Sequence, residues 1–559
     1  MRRGIQSGTV VRQCGLFILL LFLFGYILFP ALKTLETSLT EGGVFSLIHY
    51  RDFFSSATSR LPLINSVTLG LLSVLVCGSM GISLAFAIHF YEFPWRNLAD
   101  KLLLLPLVMP GIIIVFAFVQ LYGESGMVTK LLQFLLKMES APFCLSGLTG
   151  ILIIHASTQY IYFYLTVSIA IKQMDYSAIE SARSLGASKR KVFFSIILPF
   201  LKPAIIAAAA MTFISGAGSF TAPSLLGGDF KVLTIQILLS KANNYMEIAA
   251  TQVSILTFIS ILFFIVFRIY EAKSQFISSV KTVLFRPVPI QSPFYRILVR
   301  SLVWLVICSI LLPLVTIVLV SFVPSSSWMV NYFPKEFTLD NYLAIFSSAR
   351  KLQPLFNSSV MAIAAAGVGL LVAIPSSFVI VKTELKAKWI VEFLTMLPWA
   401  IPASAIAINI INAFNEPTIF SFNQVLVGTS FLLPLGYLIR SLPIMVKTLN
   451  VSFHNLNDVY IEASKSLGGS SFHTFKNVAV PMLFPGILAG FLLIFIRSIG
   501  EYTVSVFLYN ASNKPLSIAM VNGVFEYNLG LAMAYGTLLI ILTFLLSLIM
   551  SRFLGMSSH

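Results

Sequence analysis

Two short charged segments with the same residue spacing interrupt an otherwise apolar chain. In the first, Glu180 is followed by two small residues and, six positions after the glutamate, by Gly186. In the second, Glu462 is followed at the same distance by Gly468. A glutamate early in a helix and a glycine that can adopt positive φ predict a short helix, a turn and a second helix. Such an element is suited to receive a push from a partner protein.

The residues around these segments support this prediction. Polar residues that suit a helix N-cap precede both glutamates, namely Ser177 or Asp175 and Asn457 or Asp458. Thirteen positions after each glycine comes a proline, Pro199 or Pro481. Since proline is favoured in the first turn of a helix, each proline is expected to begin the next span. The second helix of each segment is then expected to lie along the cytoplasmic face.

The composition defines the broad class of protein. Of 559 residues, 57% are hydrophobic and only 10% are charged, against about 25% charged in a soluble globule. The formal net charge is +16, but no basic cluster is interleaved with aromatic residues, so nucleic-acid binding is not predicted. The four cysteines are scattered singly, without the spacing of a disulfide framework or a metal cluster. The chain is therefore expected to be a polytopic membrane protein.

About twelve apolar runs are long enough to cross the hydrocarbon core, which takes about 20 residues each. They lie near 14–33, 62–90, 101–122, 147–171, 203–222, 251–269, 298–322, 356–381, 389–413, 424–446, 484–509 and 531–551. Lys and Arg concentrate on the cytoplasmic segments if the N-terminus is inside, which is the orientation we expect. The first run follows Arg2, Arg3 and Arg12 and is predicted to be a retained anchor.

The two charged segments belong to an internal duplication. An offset of 282 residues relates Glu180, Gly186, Pro199, Pro203, Gly218 and Thr221 to Glu462, Gly468, Pro481, Pro485, Gly500 and Thr503. Upstream, an offset of 292 relates Asn65, Ser66, Pro106 and Pro110 to Asn357, Ser358, Pro398 and Pro402. Each half has an even number of spans, so the two halves are expected to be parallel. The predicted parts are a first half at 1–275 with its core at 61–270, a linker at 276–297, and a second half at 298–559 with its core at 353–553.

Ionisable residues inside a span mark a candidate translocation pathway, because each costs about 2.5–3.5 kcal/mol to insert. Arg497 and Glu501 occupy the eleventh run at i,i+4 spacing and are expected to face each other. The duplicated positions in the fifth run are Ser215 and Ser219. Gly218 and Gly500 lie beside them and permit close helix approach or a local break. An alternative is that the two charges only stabilise each other.

The spacing of both charged segments resembles the EAA loop of binding-protein-dependent ABC importer permeases. The matching residues are Glu180, Ser181, Ala182, Gly186, Ile196, Leu198 and Pro199, and Glu462, Ala463, Ser464, Gly468, Val478, Val480 and Pro481. The fused arrangement is similar to ferric-iron transport permeases in particular. The resemblance implies an all-α polytopic fold of two parallel six-helix repeats, the type I importer or MetI-like fold. It also implies that each loop docks on one of two copies of an ABC ATPase subunit.

Several activities are not expected of the chain itself. No GxxxxGK[ST] phosphate loop occurs, so ATP and Mg are expected on the partner subunit and no cofactor on this chain. The external loops are too short for a domain, so a separate extracytoplasmic substrate-binding protein is implied. No metal site is predicted: Tyr160, Tyr162 and Tyr164 do not all share one helix face, and the six histidines, including His155, are dispersed.

The first interpretation is therefore a permease in a bacterial inner membrane, in contact with lipid, and the resemblance implies ferric iron as its substrate. Importers of a phosphonate, sugar phosphate, thiamine or polyamine are alternatives within the class. A secondary transporter would explain twelve spans in parallel repeats, but it would leave the paired charged loops without a role. An integral-membrane enzyme or channel has no supporting cluster of residues.

Overall fold

The computed structural model describes residues 2–273, 287–324 and 336–556. These residues are almost entirely helical, as predicted, with two short two-stranded sheets. Residues 276–286 of the predicted linker lie outside the described part of the chain.

The first part of the chain forms helices and three short strands. The helices are α1 (Arg2–Leu23), α2 (Phe29–Ser38), α3 (Ile48–Ser55), α4 (Ala57–Phe90), α5 (Arg96–Leu103), α6 (Leu105–Val108), α7 (Gly111–Tyr122), α8 (Met127–Leu135), α9 (Gly147–Gln173), α10 (Tyr176–Ser184), α11 (Lys189–Val192), α12 (Leu198–Ala217), α13 (Thr221–Leu226), α14 (Leu233–Ala242) and α15 (Met246–Lys273). The strands are β1 (Thr40–Glu41), β2 (Val44–Phe45) and β3 (Tyr91–Glu92). β1 and β2 pair antiparallel, and one π-helical segment, Phe24–Leu28, joins α1 to α2.

The second part follows the same order. It begins with β4 (Val288–Pro289), which pairs in parallel with β3. The helices are α16 (Pro293–Ser321), α17 (Asp340–Ser347), α18 (Ala349–Lys382), α19 (Lys388–Ala400), α20 (Ala403–Phe414), α21 (Leu432–Asn455), α22 (Asp458–Ser466), α23 (Ser471–Thr474), α24 (Val480–Ile499), α25 (Thr503–Leu508), α26 (Leu516–Phe525) and α27 (Leu529–Met556). A 3-10 turn occupies Ile419–Ser421.

Within the described residues, ten helices are long and apolar enough to cross a membrane, or eleven if the bent pair α19 and α20 is one span. They overlap eleven of the twelve predicted runs. The remaining run, 147–171, forms α9, a helix of 27 residues. Polar residues such as His155 and Gln159 interrupt its apolar sequence, which explains why α9 is less apolar than the others.

Duplicated prolines break one predicted span in each repeat. The chain bends by 113° between α19 and α20, where Pro402 is the N-cap residue of α20. In the first repeat, Pro110 is the N-cap residue of α7, which follows the short helix α6. The residue before a proline avoids helical backbone angles, so a proline here ends the preceding helix. The runs 101–122 and 389–413 are therefore interrupted helices and not the single spans that the sequence predicted.

The chain packs into two compact units. One contains residues 1–51, 240–254 and 338–559; its core helices α18, α21 and α24 pack against one another, and α2 packs on α20. The other contains residues 52–239 and 255–337; α4, α9 and α12 form the corresponding core, and α16 packs on α7. Each unit thus contains the core of one repeat and the first helix of the other repeat. Each predicted half, in contrast, contains the core of one repeat with its own first helix.

Candidate coupling loops and helix breaks

The first charged segment forms α10 followed by a tight turn. Asp175 is its N-cap, and the Asp175 carboxylate accepts hydrogen bonds from the backbone N–H and the hydroxyl of Ser177 at 2.9 and 2.8 Å. At the other end, Gly186 has a φ of 79°, and the N–H of Ala187 donates to the carbonyl of Ala182 at 2.9 Å. This is a Schellman turn, whose left-handed residue is usually glycine because a Cβ would strain it.

The second charged segment repeats this geometry. Asn457 is the N-cap of α22 and accepts the N–H of Val459 at 3.1 Å. Gly468 has a φ of 84°, and the N–H of Gly469 donates to the carbonyl of Ser464 at 2.9 Å. The predicted short helix and positive-φ glycine are therefore present in both copies.

Most of the predicted coupling residues lie on the surface. Those exposed are Glu180, Ser181, Gly186, Glu462, Ala463, Gly468 and Pro481, and those half-buried are Ala182, Pro199 and Ser464. Two further residues stand out, because the side chains of Leu185 and Leu467 are 88% and 89% exposed. They occupy equivalent positions in the two repeats, an alignment that the sequence analysis overlooked. Large aliphatic side chains exposed at both equivalent positions mark a surface suited to protein contact.

The expectation of a separate second helix along the membrane face is wrong. Residues Lys189–Ala217 and Ser471–Ile499 each form one continuous helical stretch that is long enough to span a membrane. A π-helical turn lies inside each stretch, at Phe193–Ile197 and Phe475–Ala479. Pro199 cannot donate to a carbonyl four residues earlier and its ring would clash there, and the wider turn accommodates this defect without ending the helix.

In the first repeat, α12 ends at Ala217 and α13 begins at Thr221. Ser219 lies in the break between these helices. The Ser219 hydroxyl hydrogen-bonds to Nε2 of His155 at 2.9 Å, and Nδ1 of the same ring bonds to the Ser73 hydroxyl at 2.7 Å. His155 is only 2% exposed. Its ring therefore links α4, α9 and the break. The sequence predicts no role for His155, although a histidine inside an apolar run is a usable signal.

In the second repeat, α24 ends at Ile499 and α25 begins at Thr503. Glu501 lies in the break between these helices. Its carboxylate forms an ion pair with Arg440 of α21. The same carboxylate accepts the N–H of Val504 at 3.0 Å, at the start of α25. A charged pair thus lies at the break of the second repeat, where the first repeat has the hydrogen bond between Ser219 and His155.

The predicted pairing of Arg497 with Glu501 stays a prediction. The i,i+4 argument requires a continuous helix, but α24 ends at Ile499 and Gly500 is its C-cap. Arg497 is exposed in the last turn of α24, and Glu501 forms an ion pair with Arg440. Arg440 lies in the predicted run 424–446 and is an intramembrane charge that the predicted pathway residues do not include. Among the other predicted pathway residues, Ser215, Gly218 and Ser219 are half-buried.

At each break, the carbonyl of the equivalent residue accepts a stabilising hydrogen bond from a nearby hydroxyl. The hydroxyl of Thr234 donates to the carbonyl of Ser219 at 2.6 Å, and the hydroxyl of Ser517 donates to the carbonyl of Glu501 at 2.7 Å. A broken helix leaves carbonyl groups without helical partners, and neighbouring hydroxyl groups can satisfy them inside a membrane.

The duplicated Asn–Ser pairs hold the segments that follow the breaks. The Ser66 hydroxyl oxygen accepts the N–H of Leu233 at 2.9 Å, and that of Ser358 accepts the N–H of Leu516 at 2.8 Å. The side-chain amides of the two preceding asparagines also make equivalent bonds: Asn65 donates to the Lys231 carbonyl at 2.8 Å and Asn357 to the Lys514 carbonyl at 3.2 Å. The sequence duplication therefore extends to individual hydrogen bonds.

Two of the three neighbouring tyrosines, Tyr160 and Tyr164, have structural hydrogen-bond partners. The Tyr160 hydroxyl donates to the carbonyl of Leu103 at 2.5 Å, and the Tyr164 hydroxyl donates to the Asp100 carboxylate at 2.5 Å. Both tyrosines are almost fully buried. They join α9 to α5.

Comparison with known proteins agrees with this architecture. The family of binding-protein-dependent transport system inner membrane components matches residues 78–276 and 365–558. A probable ABC transporter permease protein of Sinorhizobium fredii is 30% identical over 94% of this chain and 92% of its own length. A ferric transport system permease protein of Actinobacillus pleuropneumoniae is 26% identical over 94% of this chain and 76% of its own length. A putative ferric transport system permease protein of Haemophilus influenzae is 25% identical over 92% of this chain and 80% of its own length.

The duplicated helical core, the two candidate coupling loops and the family match are typical of a polytopic transport protein. The chain belongs to the binding-protein-dependent transport system inner membrane components. It is a multi-pass inner membrane permease of the ABC importer class that carries both repeats in one polypeptide.

Proposed function

We propose that the chain is the membrane subunit of an ATP-driven importer and that α10 and α22 each dock on one copy of a separate ATPase homodimer. The observation that carries this proposal is the repeated Schellman turn with an exposed leucine, Leu185 or Leu467, at its base. Two equivalent surfaces on one chain suit two identical partner subunits. ATP and Mg are bound by that partner, and substrate arrives on a separate extracytoplasmic binding protein.

The N-terminus and both coupling loops are proposed to face the cytoplasm. The basic residues around the first loop, Lys189, Arg190 and Lys191, support this orientation because Lys and Arg are enriched in cytoplasmic segments. A cytoplasmic ATPase would then reach both loops.

Ferric iron is the proposed substrate. Its support is that two relatives named as ferric transport permeases align with more than nine-tenths of this chain. A phosphonate, sugar phosphate, thiamine or polyamine is the alternative. The pathway is proposed to pass the two helix breaks, with Arg497, Glu501, Gly500, Ser215, Gly218 and Ser219 along it.

A reconstitution experiment tests the proposal. The purified chain should hydrolyse no ATP alone and should support hydrolysis and uptake of radioactive ferric iron in liposomes when the ATPase and the iron-loaded binding protein encoded beside it are added. Hydrolysis by the chain alone, after contaminating ATPase is excluded, would contradict the assignment. Stimulated hydrolysis with uptake of a phosphonate or polyamine, but not of iron, would retain the importer and replace the substrate.

A further inference from the structure

One lysine holds the corner between a core helix and the second coupling helix. Lys382 is the last residue of α18. Its ammonium donates to the carbonyl of Leu456 and to the carboxylate of Asp458, both at 2.8 Å. Leu456 is the C-cap of α21, and Asp458 is the first residue of α22. A single side chain therefore connects α18 to the point where α21 ends and α22 begins.

The second coupling helix has little else to hold it. None of the residues of α22 is buried. The hydroxyl of Ser464 is 2.9 Å from that of Thr474, but this contact joins α22 only to the short helix α23. The first coupling helix differs, because Ile179 of α10 is 1% exposed and belongs to a buried apolar cluster with Met174 and Val192.

The corresponding positions of the first repeat are apolar. Phe90 is the last residue of α4, as Lys382 is of α18, and Tyr176 is the first residue of α10, as Asp458 is of α22. Both Phe90 and Tyr176 pack against the apolar cluster that contains Ile179. The same corner is thus held by apolar packing in one repeat and by an ion pair in the other.

The geometry indicates a specific rather than a general stabilising role. The Lys382 side chain is 18% exposed and that of Asp458 is 68% exposed. An ion pair this open to solvent contributes little to the stability of a whole fold. The two hydrogen bonds of Lys382 nevertheless connect α18 to α22, whose other contacts are few. Removing the Lys382 ammonium should therefore loosen α22 selectively.

We infer that Lys382 is a positioning residue that transmits movement of the second coupling helix to core helix α18. This inference rests on the proposed function, in which a partner ATPase moves α22. Lys382→Met keeps the aliphatic stem and removes the ammonium, whereas Lys382→Arg keeps a cation that can reach both acceptors. Lys388→Met is the matched control, because it removes the nearby Lys388–Glu384 ion pair, 3.2 Å long, which does not touch α22.

The first measurement is backbone hydrogen exchange on the purified full chain. Lys382→Met should accelerate exchange in α22 about two- to fivefold, the range expected for loss of one exposed ion pair, and should leave α10 unchanged. Lys382→Arg and Lys388→Met should match the wild type. Equal exchange of α22 in Lys382→Met and the wild type would overturn the inference.

The second measurement is substrate uptake per ATP hydrolysed, with the chain reconstituted with its ATPase and iron-loaded binding protein. Lys382→Met should lower this ratio at least about twofold, because hydrolysis continues while movement of α22 is transmitted less completely. Lys382→Arg should restore the ratio. If hydrogen exchange in α22 is faster but uptake per ATP is unchanged, Lys382 only fixes α22 locally. That result would overturn its role in transmission. A wild-type complex without stimulated hydrolysis would overturn the proposed function itself, while the exchange difference would still reveal the anchor.

Discussion

Removing Arg440 is expected to destabilise the chain, because Arg440 forms an ion pair with the largely buried Glu501 carboxylate. The side chain of Glu501 is 11% exposed and that of its partner Arg440 is 30% exposed. In Arg440→Ala the carboxylate would keep the N–H of Val504, 3.0 Å away, but lose the Arg440 guanidinium. Removing one partner of a buried ion pair typically costs about 3–5 kcal/mol. Because Arg440 is partly solvated, we expect the lower end, about 3 kcal/mol in the free energy of unfolding.

A double-mutant cycle separates the pair from its surroundings. Glu501→Gln retains an oxygen for the backbone bond and removes the charge, so Arg440→Ala combined with Glu501→Gln leaves no orphan carboxylate. The double variant should recover part of the loss, with a coupling energy of about 2 kcal/mol, within the range seen for residues in contact. Arg497→Ala combined with Glu501→Gln tests the predicted i,i+4 pair by the same cycle.

The assay is equilibrium unfolding of the purified chain in mixed micelles, followed by circular dichroism of the helices. Insertion into the membrane is checked separately, so that low expression is not mistaken for low stability. A loss below about 1 kcal/mol in Arg440→Ala, the range of exposed ion pairs, would refute the reasoning. A coupling energy near zero for the Arg440 pair would refute it as well.

Three further outcomes are expected. Reversing both coupling charges, Glu180→Arg with Glu462→Arg, should abolish uptake in transport assays but leave membrane insertion intact, since no span is altered; uptake at the wild-type rate would contradict the docking role. Gly186→Val should lower ATPase stimulation in the reconstituted complex, because a φ of 79° strains a β-branched residue by about 1–3 kcal/mol. His155→Ala should cost about 1–3 kcal/mol in the free energy of unfolding, because the Ser219 hydroxyl loses a buried partner; His155→Gln should cost less, and equal losses would argue against the hydrogen bonds.

Local sequence determined the helices and the coupling turns. Apolar runs of about 20 residues predict spans, because the membrane interior requires each backbone polar group to be satisfied within its own helix. The turns at Gly186 and Gly468 follow from the spacing of an N-cap, a helix of nine residues and a glycine, all of which act within two or three helical turns. The duplication was visible for the same reason, since constant offsets require no knowledge of packing.

Interactions between distant helices were decided by the tertiary structure. The spacing of Arg497 and Glu501 predicts a pair only on an unbroken helix, and the break after Ile499 directs the Glu501 carboxylate to Arg440 on another helix. Likewise, no local pattern shows that Lys382 reaches Asp458. Which charges meet depends on which helix faces pack together. Because a buried unpaired charge is costly, the favoured packing minimises such charges over the whole core and not within any one segment.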